Sequence, residues 1–298
     1  MDELRFDERV AIVTGGGRGL GRAHALLLGA RGAHVVVNDD GASLNGEGGS
    51  DEPAKAVADE IRAAGGIAIA DSTSVATPEG GQAIVARAIE EFGQLDIVVA
   101  NAGILRDKAF HNMTSEMFDH VMDVHLRGAF FVTQPAFVHM REQGYGRVVT
   151  TSSSAGLYGN FGQVNYSTAK MGLIGMARTI ATEGARFNIK ANTVAPGAYT
   201  RMTEGLIPES ASDRLKPDRV SPVVAWLCHE DCPVTGQVFQ VGGGRVARVF
   251  VAETKGYWNM DLTPEDVVAN LDAINDETDY IVPTSVADAG TLAPPPMA

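Results

Sequence analysis

Short apolar runs alternate with longer amphipathic stretches along most of this chain. Residues 10–14, 34–38, 67–70, 95–100, 147–152, 189–194 and 238–241 are dominated by Val, Ile, Ala and Thr, and they predict buried strands. Between them, 22–29, 51–64, 78–92, 115–142 and 166–186 carry helical spacing, with acidic residues opening the stretch at 51 as the helix dipole prefers. Gly128 and Pro135 are expected to interrupt the long region 115–142. Strands apolar on both faces, separated by helices, predict a parallel sheet covered on both sides, and right-handed crossovers make it doubly wound. The expected fold class is therefore α/β, a Rossmann-like doubly wound parallel sheet in a single domain over residues 1–244, followed by a C-terminal extension at 245–298.

Two segments break the rhythm. Residues 197–222 are rich in Pro, Ser and Glu without periodicity, and a loop of that length in a compact domain reads as a lid or as a disordered segment. The extension shows one helical pattern, 264–274, and a Pro/Ala tail at 292–298 expected to fray. The extension is expected to pack on the domain or on a dimer partner.

Composition narrows the function classes. With 45% hydrophobic and 20% charged residues, the chain is an ordinary globular protein. A net charge of −13 and a pI near 4.9 argue against nucleic acid or an anionic membrane as partner. An anionic substrate would need a local basic patch, for which Arg106, Lys108, Arg127 and Arg201 are candidates. Cys228 and Cys232 cannot supply a disulfide framework. No second Cys/His pair completes a four-ligand metal set, so reduced thiols at a helix end and no metal are expected. The acidic start runs straight into a strand pattern rather than a secretory signal, and no apolar run approaches the ~20 residues of a membrane span. The final Pro-Met-Ala is not a peroxisomal address, so a cytoplasmic protein is expected.

The chemistry begins at Thr14-Gly15-Gly16-Gly17-Arg18-Gly19-Leu20-Gly21, which follows a strand and opens a helix. Glycines there permit a tight turn and close approach of backbone to a pyrophosphate, at a helix N-terminus that attracts anions. The second strand ends at Asp39, whose carboxylate can accept hydrogen bonds from adenosine ribose hydroxyls and would repel a 2′-phosphate. That favours NAD over NADP, with Arg18 as the competing signal. Asn101, Ala102 and Gly103 close the fourth strand with small residues on which a cofactor can lie. Tyr166 and Lys170 stand one helical turn apart, on one helix face. A cation beside a phenol favours the phenolate and lowers a pKa that is otherwise near 10. Ser153 precedes the tyrosine by thirteen residues.

Taken together, these motifs resemble the short-chain dehydrogenase/reductase family over about residues 6–245. The resemblance implies that Tyr166 is the general acid/base, that Lys170 holds the nicotinamide ribose, and that Ser153 hydrogen-bonds the substrate oxygen. It places Gly15, Arg18, Gly19, Leu20, Gly21, Asp39, Ser74, Val75, Asn101, Ala102, Gly103, Tyr166, Lys170, Pro196 and Thr200 around NAD, with Thr200 at the nicotinamide amide. Two departures stand out. Ser74-Val75 replaces the family's Asp-Val, and His125 falls where a structural asparagine usually supports a proton relay, so it is either a relay or a packed core histidine.

Blocks such as Gly103-Ile104-Leu105-Arg106-Asp107 and Gly159-Asn160-Phe161-Gly162-Gln163 look more narrowly like the (3R)-3-hydroxyacyl-CoA dehydrogenase units of multifunctional β-oxidation enzymes. That likeness implies an NAD-dependent oxidation of (3R)-3-hydroxyacyl-CoA in lipid metabolism, by a stand-alone relative. The alternatives are a 17β-hydroxysteroid or steroid side-chain hydroxyacyl-CoA dehydrogenase and, in a different class, a non-catalytic NAD-binding sensor. Family members pair through the tyrosine-bearing helix, so the resemblance implies a homodimer, or a tetramer, acting on a small-molecule substrate.

Overall fold

The computed structural model describes residues 3–205 and 207–289. Eight strands form the main sheet: β1 (Val10–Thr14), β2 (His34–Asn38), β3 (Ile67–Asp71), β4 (Ile97–Ala100), β5 (Gly146–Thr151), β6 (Ile189–Gly197), β7 (Val238–Gly242) and β8 (Arg245–Val249). Their order across the sheet is β3-β2-β1-β4-β5-β6-β7-β8, and all pairings from β3 to β7 are parallel. The helices are α1 (Gly19–Ala30), α2 (Glu52–Ala63), α3 (Pro78–Phe92), α4 (Ser115–Met122), α5 (Gly128–Gln143), α6 (Ser154–Tyr158), α7 (Val164–Gly184) and α8 (Ser221–Cys228).

The two-residue period of a strand sends successive side chains to opposite faces, and the sheet accordingly has two cores. Ala11, Val13, Val35, Val37 and Val99 belong to one cluster, with Leu28 of α1, Ile61 of α2 and Leu227 of α8. Val10, Ile12, Val36, Val98 and Val148 belong to the other, with Ile84 of α3 and Val132 and Met140 of α5. The doubly wound parallel sheet expected from the sequence is thus present, with every strand position found.

Three local readings change. The break in 115–142 lies neither at Gly128 nor at Pro135. A π-helical turn at Asp123–Arg127 separates α4 from α5, and Pro135 sits inside α5. The segment 197–222 is not featureless, because 3₁₀ turns form at Glu209–Ala211 and Pro217–Arg219 before α8 begins. The chain divides into two compact units after Arg248, a little beyond the expected boundary. Gly243 and Gly244, with φ of +59° and +85°, make a two-residue turn, and so short a connection joins antiparallel strands. β8 therefore completes the sheet instead of opening the extension.

Within the second unit, β9 (Glu253–Thr254) and β10 (Tyr280–Ile281) pair antiparallel. The helical pattern 264–274 resolves into α9 (Pro264–Ala269), opened by a Thr263–Asp266 capping box, and α10 (Leu271–Ile274). The expected frayed tail, 292–298, lies outside the described residues. No helix among the described residues is long and apolar enough to cross a membrane, and no group of three or more potential metal ligands occurs among them. Cys228 and Cys232 are buried free thiols.

Candidate active site

The strand order reverses between β1 and β4, and in open parallel sheets a crevice forms at the carboxyl ends of the strands at such a point. The turn after β1 and the turn after β4 meet there. Thr14 Oγ1 accepts hydrogen bonds from the backbone N–H groups of Asn101 (3.0 Å) and Ala102 (3.1 Å). The Asn101 amide donates back to the carbonyls of Thr14 (3.1 Å) and Gly15 (3.3 Å). Gly15 has φ +62°, and a Cβ there would come within 2.8 Å of Ala102 Cα. A Cβ at Gly21 would overlap the Gly15 carbonyl, which locks the turn onto the first turn of α1. Arg18 is the N-cap of α1 and donates to the Ala42 carbonyl at 3.2 Å, while Leu20 packs on the core beneath.

Asp39 is held by backbone. Its Oδ2 accepts from the Gly17 N–H at 2.9 Å and its Oδ1 from the Gly41 N–H at 2.8 Å. The carboxylate that would meet a ribose is thus also a pin for the glycine turn. Thr200, beyond the end of β6, lies with Cγ2 3.5 Å from where a Gly19 Cβ would stand, while Pro196 is within β6, paired in register with Val241. Ser74 is exposed after β3, its hydroxyl near the Ala76 N–H. Val75 is buried in the α3/α5 core against Gly128. Asp71 bonds Asn38 and the Thr73 N–H instead of facing the crevice. The glycine turn, Asp39 and the small residues after β4 together fit a dinucleotide: Gly15, Gly16, Gly17 and Gly19 carry no side chain where the turn opens onto the N-terminus of α1, which favours an approaching phosphate.

The second half of the site comes from the ends of β5 and α7. Ser153 caps α6, accepts from the Ala155 N–H at 3.1 Å, and hydrogen-bonds the Tyr166 phenol. Lys170 is buried, donates to the Thr151 carbonyl at 2.6 Å, and places Nζ 5.6 Å from the centre of the Tyr166 ring. Gly156 permits this: a Cβ there would stand 2.7 Å from Lys170 Cβ. The fold therefore brings Ser153, Tyr166 and Lys170 together beside the glycine turn.

Electrostatics differ from the sequence expectation that Lys170 brings the phenol down. Burial pushes the Tyr166 phenol up, the Ser153 hydrogen bond opposes it, and the Asp107 charge raises it further. Burial also pushes Lys170 down to about 7, and an ammonium that gives up its own charge near neutrality does little for a neighbouring phenolate.

His125 sits in the middle of the π turn, and that extra residue re-aims the helix face. It is buried, packs edge-on to Tyr166 with ring centroids 5.2 Å apart, and approaches Gly103 so closely that a side chain at 103 would collide with it. Nε2 lies 2.8 Å from the Ile104 carbonyl and 3.0 Å from its N–H. Burial and Lys170 hold the ring neutral. Of the candidate basic patch, Arg127 pairs with Asp123 and Asp119, and Arg106 lies within ion-pair range of Glu47 and Glu116. Arg201 lies near Arg18 and Asp39 at the cofactor end.

Asp107, Gln163 and Asn165 received no role from the sequence, and the structure places all three at the start of α7. Gln163 and Asn165 stand just before Tyr166 in sequence, whereas Asp107 is 59 residues upstream and only the fold brings it to them.

The short chain dehydrogenase family model matches residues 9–210. The chain is 46% identical to the mouse peroxisomal multifunctional enzyme type 2 over 290 residues, covering 96% of this chain and 39% of that protein. It is 38% identical over 281 residues to a hydroxyacyl-CoA dehydrogenase of Mycobacterium tuberculosis, covering 88% of this chain and 87% of that one. Among solved structures, the full-length Drosophila melanogaster peroxisomal multifunctional enzyme type 2 superimposes with a TM-score of 0.81 at 41% identity, over 96% of this chain and 49% of that chain. A 7α-hydroxysteroid dehydrogenase complexed with NADH and 7-oxo glycochenodeoxycholic acid gives 0.73 at 28% identity, over 82% and 98% of the two chains. The chain thus spans about two fifths of the length of the mouse relative.

Proposed function

The chain belongs to the short-chain dehydrogenase family, an oxidoreductase acting on secondary alcohols, and from that premise we propose that it oxidises (3R)-3-hydroxyacyl-CoA to 3-ketoacyl-CoA with NAD. The observation that carries the reading is the convergence of Ser153, Tyr166 and Lys170 beside the Asp39-pinned glycine turn. Support for the substrate comes from relatives named as a multifunctional peroxisomal enzyme and as a hydroxyacyl-CoA dehydrogenase. Asp39 supports NAD, because a carboxylate accepts from ribose hydroxyls and repels a 2′-phosphate.

Bound NAD supplies the hydride acceptor. The protein's own residues hold and move the proton. Ser153 and Tyr166 bracket the 3-hydroxyl, and Tyr166, ionised at Oη, takes the hydroxyl proton as the substrate's C–H bond breaks. Lys170, anchored on the Thr151 carbonyl, fixes the face of α7 that presents the phenol. The 3₁₀-turned segment after Thr200 would shield the site from water.

The test is NADH formation from separate (3R)- and (3S)-3-hydroxydecanoyl-CoA and from a hydroxysteroid, with NADP as control. Turnover confined to the (3R)-thioester and NAD is expected. Tyr166→Phe is expected to lose at least about a hundredfold in kcat, within the range general acid–base catalysis supplies, with NAD affinity kept; near-normal turnover in that variant would remove Tyr166 from the mechanism. A hydroxysteroid is the second reading, favoured by the 7α-hydroxysteroid dehydrogenase likeness. Exposed Phe130 and Val138 on α5 and Met171 on α7 support a homodimer, to be checked by sedimentation. The cytoplasm remains the proposed compartment, against the peroxisomal names of the relatives, and organelle fractionation decides it.

A further inference from the structure

Tyr166 is held at three points along its length. Ser153 bonds its phenol, and the His125 ring packs edge-on against its own ring at 5.2 Å. The third point is the main chain. Helix α7 begins at Val164 with Gln163 as its N-cap, yet the Gln163 side chain does not cap it. Its amide is turned away, donating to Asp107 at 2.7 Å and accepting from Asn160 at 2.9 Å. The first N–H groups of a helix have no partner inside it, and that of Tyr166 is among them. Asn165 meets this need, its Oδ1 accepting from the Tyr166 N–H at 2.8 Å.

The other end of the same amide leaves the helix. Asn165 Nδ2 donates to the Arg106 carbonyl at 3.0 Å and to the Met117 carbonyl at 3.2 Å. The residue is 0% exposed, with both donors and its acceptor engaged. Two carbonyls on one side and an N–H on the other fix which atom of the amide points where. The partners are anchored in turn. Met117 stands in the first turn of α4, where its N–H donates to the Thr114 cap at 3.2 Å. Arg106 Nε donates to the Asn45 carbonyl at 2.9 Å, and the Leu105 N–H to the Leu44 carbonyl at 2.9 Å. One buried side chain thus joins the backbone of Tyr166 to α4 and to the segment leaving β4.

We propose that Asn165 is a positioning residue for the reaction, fixing the main chain of Tyr166 so that the phenol stands at proton-transfer distance from the substrate hydroxyl. Ser153 and His125 steady the far end of the side chain, but the side-chain torsions leave them no control over where its Cα stands. Asn165 sets that point, through hydrogen bonds to elements on either side of the helix start. Proton transfer needs the reacting heavy atoms about 2.6–3.2 Å apart, and a misplacement of about 1 Å costs on the order of a hundredfold in rate. The amide is uncharged, so it acts on distance and leaves the phenol free to accept the hydroxyl proton.

This role rests on Tyr166 as the acid/base of the proposed oxidation, and the experiment keeps the two apart. Coenzyme-competent sites are counted by NADH fluorescence titration. NADH formation is then followed in a single turnover, with sites in excess over (3R)-3-hydroxydecanoyl-CoA and NAD saturating. Asn165→Ala removes all three hydrogen bonds, while Asn165→Asp keeps the acceptor for the Tyr166 N–H and loses the donors to Arg106 and Met117. Both variants are expected to lose at least about tenfold in single-turnover rate per counted site, within the cost of misplacing a reacting group, with NADH affinity changed less than about threefold. Fewer counted sites at an unchanged rate overturn the proposal, since that is how a merely structural residue behaves. So does a parental rate in Asn165→Asp, because the bridge to α4 and the β4 exit would then be idle; that variant decides alone where Asn165→Ala yields no sites. Near-parental turnover in Tyr166→Phe overturns the acid/base reading itself, and is recognised in a protein that retains Asn165.

Discussion

Lys170 shows most directly how a single side chain is strained by its task. Its ordinary value is 10.5, and burial lowers it to about 7, so between those values the unfolded chain holds a proton that the native state does not. Stability contributed by this group is therefore complete only above about 10.5 and declines as pH falls through the folded value. At 1.36 kcal/mol per unit the cost at neutral pH has a ceiling of about 5 kcal/mol. Lys170→Met removes it, while leaving the Thr151 carbonyl without its donor at roughly 1–3 kcal/mol. The variant is expected to be inactive yet no less stable than the parent at neutral pH, with that advantage shrinking toward pH 10; urea midpoints at several pH values check the slope. Tyr166, Lys170 and Ser153 were legible in the sequence because their spacing is fixed by one helix and one strand end. The direction of the phenol shift was not, because burial and the Asp107 charge come from packing and from a loop more than fifty residues away in sequence.

At the scale of elements, periodicity found all the parallel strands because each is short and dominated by apolar or β-branched residues, even where β6 carries Lys190 and Asn192. It missed β8, whose Arg245-Val246-Ala247-Arg248-Val249 is half polar and lies at the sheet edge. It also misplaced the break between α4 and α5. Glycine and proline are the usual signals of a helix interruption, but a π turn is made by one additional residue and leaves no compositional mark. The glycine turn after β1 was legible, since strand–turn–helix context gives each glycine a purpose. Gly21→Ala sets a Cβ against the Gly15 carbonyl. It is expected to lower stability by about 1–3 kcal/mol, the range for overpacking, and to weaken NAD binding at least tenfold, measurable by NADH fluorescence titration on the folded variant.

The whole molecule is assembled so that one sheet carries a cofactor crevice on its carboxyl edge while two apolar layers hold the sheet from both sides. Those layers bury two histidines in neutral form. His24 on α1 is held at about 3 by burial and bonds Ser221 of α8 at 2.8 Å, and His125 is held well below its ordinary range. Each is depressed in the fold, so the stability it supports is present above about 6.5 and is lost as pH falls toward the folded values. Between pH 6.5 and 4.5 His24 is expected to cost roughly 2–3 kcal/mol, at 1.36 kcal/mol per unit. His24→Asn is expected to resist acid better than the parent over that window, whatever its stability at pH 7, as read from urea midpoints.

Asp39 has both carboxylate oxygens committed to main-chain N–H groups, one in the glycine turn and one in its own loop. On the proposed reading, the atoms that would select NAD also hold the turn. An evolutionary drift toward the phosphorylated dinucleotide cannot begin with this position alone, because the first step would loosen the turn before any new anion had gained a partner. A change of coenzyme preference would then require residues 15–21 and 39–42 to change together as one cassette, because the same carboxylate holds the turn.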